Sequence, residues 1–186
     1  MLLKSIFLNK IKFMKLRITG LSILLFLTLS VMTLSAQEAE INWMSWEEAM
    51  EASKQEPRKI FVDVYTDWCG WCKKMDKSTF KDASIVKELN KNFYAVKFDA
   101  EQKKVINFSG NEFKFVAAGR RGYHQLAYAL LDGRMGYPAF VYLNESFERI
   151  MLSPGFKQVD QLQKELEYAS SEAYKDQDWE EYKKSE

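Results

Sequence analysis

The feature that most constrains this chain is the cysteine pair of Cys69-Gly70-Trp71-Cys72, set at the seam between two kinds of local structure. Before it, Lys59-Ile60-Phe61-Val62-Asp63-Val64-Tyr65 is a nearly continuous β-prone run, typical of a central strand buried on both faces. After it, the pattern predicts a helix from Trp71 to about Lys77. A thiolate at such a seam faces unpaired backbone N–H groups and the positive end of the helix dipole, which lowers its pKa and makes it nucleophilic near neutral pH. Cys69 occupies that position. Cys72, one helical turn on, reaches the same sulfur and is expected to be the less exposed thiol, suited to resolving a mixed disulfide.

Three other uses of the pair are weaker. A structural bridge would close so short a loop that it restricts the unfolded chain little compared with longer loops. A zinc site needs two further ligands, and the chain offers only His124 and carboxylates without metal-type spacing. Haem attachment requires a histidine directly after the second cysteine, where Lys73 stands. The sequence contains only these two cysteines, too few for a disulfide scaffold. No metal and no cofactor is expected.

Charge places the pair in a compartment. Lys4, Lys10, Lys12, Lys15 and Arg17 precede an apolar stretch, Leu21 to Leu34, that ends in Leu34-Ser35-Ala36, the order of an export signal with a small residue for cleavage. Residues 1–36 are therefore expected to be a signal peptide, with Met14 an alternative start, and the protein to be exported to the periplasm. If the segment stays uncleaved, its uncharged run from Ile18 to Gln37 is long enough to anchor the chain in a membrane. Setting those five basic residues aside from the 27 leaves 22 Lys+Arg against 26 Asp+Glu. A body with that balance has no basic excess to attract nucleic acid.

The remaining chain reads as one domain at 37–169 followed by a charged tail at 170–186. Ser45 and Glu48 have capping-box spacing before a helix at about Trp46 to Gln55. A helix is predicted at about Ala83 to Asn90, a strand at Phe93 to Phe98, and a hairpin pairing Val105–Phe108 with Glu112–Val116. A short helix at Gly122 to Leu131, strands at Ala139–Leu143 and Phe147–Leu152, and a helix with Val159, Leu162, Leu166 and Ala169 on one face follow. Strands alternating with helices, then a closing hairpin and helix, indicate an α/β sandwich on a mixed central sheet. The tail lacks an apolar stripe and is expected to be frayed or disordered, although Trp179 and Tyr182 offer a means of docking it.

From Val62 through Lys73, the strand aspartate, the tryptophan before the first cysteine and the CxxC pair, with Gly136-Tyr137-Pro138 before a later strand, resemble the thioredoxin superfamily. The resemblance covers roughly Ile41 to Tyr168. It implies a thioredoxin-like sandwich, with Cys69 the attacking thiolate and Cys72 the resolving thiol. It also implies that Asp63 is a buried acid that helps deprotonate Cys72, a role open to a carboxyl whose pKa is raised by burial. Tyr137-Pro138 matches the family's cis-proline loop, which with Trp68 and Trp71 would line the substrate groove. Gly70-Trp71 departs from the Gly-Pro usual in thioredoxin and is closer to the Gly-aromatic pairs of exported disulfide isomerases, which leaves the direction of electron flow open. A second departure is an insertion at about 101–132, holding the hairpin and short helix.

The function so implied is an exported thiol:disulfide oxidoreductase acting on protein thiols and disulfides, in the reductase or isomerase direction, with an unidentified electron donor or acceptor. The alternative is a thioredoxin-fold binding module that holds a partner through its insertion without redox turnover. His124, the only histidine, is read as a surface or capping residue.

Overall fold

Residues 40–185 are described by the computed structural model, so the expected signal peptide at 1–36 lies outside the described residues. The elements run β1 (Trp43–Met44), α1 (Trp46–Gln55), β2 (Lys59–Tyr65), α2 (Gly70–Lys77), α3 (Ala83–Asn92) and β3 (Phe93–Asp99). Two hairpins follow, β4 (Ile106–Phe108) with β5 (Asn111–Phe113) and β6 (Phe115–Ala118) with β7 (Arg121–His124). The chain then passes through α4 (Gln125–Leu130), β8 (Ala139–Leu143), β9 (Arg149–Pro154), α5 (Val159–Ser170) and α6 (Trp179–Tyr182).

A five-stranded sheet in the order β1-β3-β2-β8-β9 divides two apolar cores. β1 and β2 pair with β3 in parallel, while β8 pairs antiparallel with β2 and β9, giving the mixed sheet of a thioredoxin-like sandwich. β2 is central, and its alternation assigns the faces. Phe61 packs with Met75 of α2, Ile85 and Leu89 of α3, and Leu162 and Leu166 of α5. Ile60, Val62 and Val64 pack on the other face with Trp46 and Ala49 of α1 and with Leu126 and Ala127 of α4. α1 starts where the capping box places it: the Ser45 hydroxyl accepts from the Glu48 N–H, and the Glu48 carboxylate accepts from the Ser45 N–H at 2.7 Å.

The insertion differs from the expected single hairpin and helix. Gly122 and His124, assigned from sequence to the helix, belong to the second hairpin, and α4 begins only at Gln125. Gly122 permits this pairing because a Cβ there would meet Phe115 Cζ at 2.2 Å. His124 is buried and caps α4: its Nδ1 accepts from the Leu126 N–H at 3.2 Å, and its Nε2 lies 2.9 Å from the Lys104 carbonyl oxygen. β9 begins at Arg149 rather than Phe147, because Phe147 adopts a left-handed φ of 64° in the turn after β8.

The expectation of a frayed or disordered tail is corrected. Residues 173–175 form a 3₁₀ turn, and α6 lays Trp179 and Tyr182 on Tyr168, with ring centroids 5.4 and 5.0 Å apart. Lys59 explains why. It is 6% exposed in β2, and a buried ammonium demands counter-charge, which Glu145 supplies at 2.9 Å and Glu172 by a second ion pair. The Lys175 and Lys59 ammonium groups beside Glu172 hold its carboxyl down at about 2. A docking made by two rings and one ion pair leaves no periodic stripe in so short a segment.

The insertion supplies core as well as surface. Ile106, Leu126, Ala127 and Leu131 are buried with the β2 side chains, and Phe108 and Phe113 pack against them. Replacing 101–132 by a short Gly/Ser link is therefore expected to abolish cooperative unfolding. Leu131→Ala alone should cost about 2–5 kcal/mol in denaturant titrations; a cost under about 1 kcal/mol would return the segment to the status of a surface appendage.

Candidate active site

β2 ends at Tyr65, and Thr66-Asp67-Trp68 carry the chain to Cys69, the N-cap residue of α2. The turn is closed by the Cys69 N–H donating to the Thr66 carbonyl at 3.0 Å. Cys69 and Cys72 form a disulfide with their Cα atoms 5.3 Å apart. Cys69 Sγ also accepts from the Cys72 N–H at 3.1 Å, so the sulfur takes the place a capping oxygen usually fills. No acidic residue stands in the first turn of α2 to compete for the positive helix end. The expected contrast in exposure is not found in this oxidised form, where Cys69 is 4% and Cys72 2% exposed. Position at the helix end, rather than accessibility, separates the two sulfurs.

Asp63 projects from the same face of β2 as Phe61 and is 1% exposed. Its register partner on β3 is Lys97, whose Nζ donates to Asp63 Oδ2 at 2.7 Å and also to Asp76 of α2. Asp63 Oδ1 has no hydrogen-bond partner among the described residues. Burial pushes the Asp63 carboxyl up to about 6, against the opposing pull of Lys97. Burial also works against the charge of Lys97, but Asp63 and Asp76 outweigh it and raise the lysine's pKa.

The four residues expected to line a groove divide between two aromatic contacts. Tyr137-Pro138 is a cis peptide, and Tyr137 packs edge-on against Trp68 with centroids 5.8 Å apart. Trp68 is 49% exposed, and its indole N–H donates to Glu101 at 2.9 Å. The guanidinium of Arg121, reaching across from β7, lies 4.2 Å from its ring centroid. Trp71, 56% exposed, makes the other contact, with Phe156, 5.3 Å away, and with Lys74, whose Nζ is 4.9 Å from the indole centroid. Phe156 reaches this place through Gly155, whose φ of +89° suits glycine and whose N–H donates to the Pro138 carbonyl at 2.8 Å.

Sequence reasoning missed Lys97, Asp76, Glu101 and Phe156, and it did not place Arg121 beside Trp68. One signal was present for Lys97: a lysine inside an apolar strand needs a buried acid, and Asp63 is such an acid in the neighbouring run.

Comparison with known proteins supports the family and the fold. The family model described as "Thioredox_DsbH: Protein of unknown function, DUF255" matches residues 25–178. A solved structure titled "DsbH Oxidoreductase" superposes with a TM-score of 0.52 at 21% identity, covering 75% of this chain and 90% of that one. Spermatogenesis-associated protein 20 of Mus musculus is 34% identical over 68 residues, 36% of this chain and 9% of that protein. The thiol:disulfide interchange protein DsbD of Pseudoalteromonas atlantica is 28% identical over 71 residues, 38% of this chain and 12% of that protein. The match thus spans about a tenth of the length of these two curated relatives.

The Asp63 environment makes stability depend on pH. Its folded pKa of about 6 lies above the ordinary 3.8, so its contribution is full below about pH 4 and is lost as pH rises through 6. Asp63→Asn leaves Lys97 paired with Asp76 and is expected to stabilise the oxidised protein at pH 8 by up to about 3 kcal/mol. The gain should vanish at pH 4. Denaturant unfolding at the two pH values measures this, and an equal effect at both would mean that burial does not raise the carboxyl.

Proposed function

We propose that this chain, which belongs to the Thioredox_DsbH family, is an exported thiol:disulfide oxidoreductase. It exchanges disulfides with protein substrates through Cys69 and Cys72, in the reductase or isomerase direction. The observation that carries the reading is the capping geometry: once the disulfide is reduced, the Cys72 N–H and the end of α2 favour a thiolate on Cys69. The basic and then apolar sequence of residues 1–36 supports placing the activity in the periplasm.

In the reductive direction, the Cys69 thiolate attacks one sulfur of a substrate disulfide. A Cys69–substrate bond forms as the substrate S–S bond breaks, and the departing sulfur takes up a proton. Asp63 accepts the Cys72 proton, for which a carboxyl titrating at about 6 is suited. The Cys72 thiolate then attacks Cys69 Sγ and displaces the second substrate sulfur, leaving the Cys69–Cys72 disulfide and a substrate carrying two thiols. A dithiol donor outside this chain restores the reduced pair. Trp68, Tyr137 and Pro138 on one side and Trp71 on the other hold the substrate segment during the exchange.

Cys72→Ser is expected to accumulate mixed disulfides with substrate proteins, and Cys69→Ser to capture none, as read on non-reducing gels. Equal capture by the two would reverse or remove the assigned roles. Equilibration with glutathione should place the Cys69/Cys72 couple between about −270 and −180 mV, the range of reductases and isomerases. A value near −120 mV would instead make the protein an oxidant.

A further inference from the structure

The two exposed tryptophans beside the disulfide have electrically different surroundings. On the Trp68 side the charges answer one another: Arg121 lies 3.7 Å from Glu101, and Glu101 also accepts from the Trp68 indole. On the Trp71 side they do not. Lys73, Lys74 and Lys77 are exposed on α2, and among the described residues none of the three makes an ion pair. Asp76, the only carboxylate of the helix, is held by Lys97. Lys74 extends over two rings, 4.9 Å from the Trp71 centroid and 5.0 Å from that of Phe156. Past Phe156 it borders an open groove of about 490 Å³ with Ser78, Thr79 and Val159 in its walls. Asp82, the acid at this groove, is occupied in capping α3 through Ser84.

Resting on the oxidoreductase reading, we propose that the Trp71–Lys74–Phe156 flank recognises the substrate, and that it selects protein segments carrying a carboxylate side chain one or two residues from the reacting cysteine. Ring faces hold an ammonium in place without cancelling its charge, so Lys74 stays positive and loses mobility. A carboxylate arriving there finds a pre-positioned cation beside apolar rings. The spacing fits. Lys74 is five residues beyond Cys69, about 7–8 Å along a helix axis, which an extended substrate covers in about two residues. Lys73 and Lys77 add to the positive potential and repel basic segments, while Trp71 and Phe156 accept the apolar body of the neighbouring side chain.

The test uses reduced wild-type protein and three disulfide-linked peptide dimers that are identical except for Glu, Gln or Lys beside the cysteine. In each reaction the two protein thiols become a disulfide and the peptide disulfide becomes two thiols. Rates are divided by those for dithiothreitol, an uncharged reductant, to remove differences in intrinsic reactivity. The Glu peptide should react about tenfold faster than the Lys peptide at low salt, the sum of two or three exposed ion pairs. The preference should shrink at 0.5 M salt, where the screening length is roughly 4 Å. Lys74→Gln should reduce it, and Lys74→Glu combined with Lys77→Glu should bring the ratio to one or below. Equal wild-type rates for the Glu and Lys peptides, or a preference that the lysine variants leave in place, would overturn the proposal while leaving the oxidoreductase reading intact. Failure of the wild type to reduce any of the three would overturn that reading, and the proposal with it.

Discussion

A carboxylate inside a strand buried on both faces is the constraint on which the rest of the site depends. β2 lies between β3 and β8 with apolar cores above and below, so Asp63 has no route to bulk water along the sheet. An isolated charge there would cost several kcal/mol. Lys97 offsets that cost from the register position directly across the parallel ladder, and Asp76 balances the lysine in turn. The three groups tie β2, β3 and α2 together. Lys97 reaches only Oδ2 of Asp63, Oδ1 has no hydrogen-bond partner among the described residues, and burial outweighs the pull of the lysine and pushes the carboxyl up to about 6.

The same helix carries the site's polarity in two senses. Its N-terminus faces the disulfide with unneutralised backbone donors, and its outer surface carries lysines whose one potential partner on the helix is already engaged. The pairing of Asp76 with Lys97 decides the charge balance on both sides of the helix. Had Asp76 paired instead with Lys73, one turn back, the surface beside Trp71 would be closer to neutral and Asp63 would face Lys97 alone. Its inward bond to Lys97 leaves the exposed face basic and draws Lys97 toward two acids at once.

What the sequence made legible were the parts governed by local rules. The capping box at Ser45 and Glu48, the continuous run of β2, the turn into α2 and the apolar stripe of α5 each express their structure within one helical turn or one strand. Asp63, Cys69 and Cys72 were legible because one segment holds all three. Lys97 was not, because its meaning depends on the register of two strands separated by α2 and α3, and register is a tertiary property. Gly122 looked like the start of a helix, and only its close approach to Phe115 makes it a strand residue. The tail carried no periodic signal, since Trp179, Tyr182 and Glu172 act as separate anchors on Tyr168 and Lys59. Phe156 reaches Trp71 through a glycine turn after β9, a meeting invisible until the sheet is assembled.

The insertion is both part of the core and a neighbour of Trp68. The β6–β7 hairpin is tied to the end of β3 by the His124 N–H bonded to the Ala100 carbonyl, and the helix that follows it buries Leu126 and Ala127 against β2. Arg121 stands at the exposed end of β7, and that internal anchoring is what holds its guanidinium over Trp68. A residue on a freely moving loop would lose side-chain and backbone entropy each time it made this contact; a residue on a hairpin fastened to the sheet has already lost most of the backbone part on folding. The insertion therefore holds Arg121 over Trp68 because part of it is core, and its mass cannot be removed while that contact is kept.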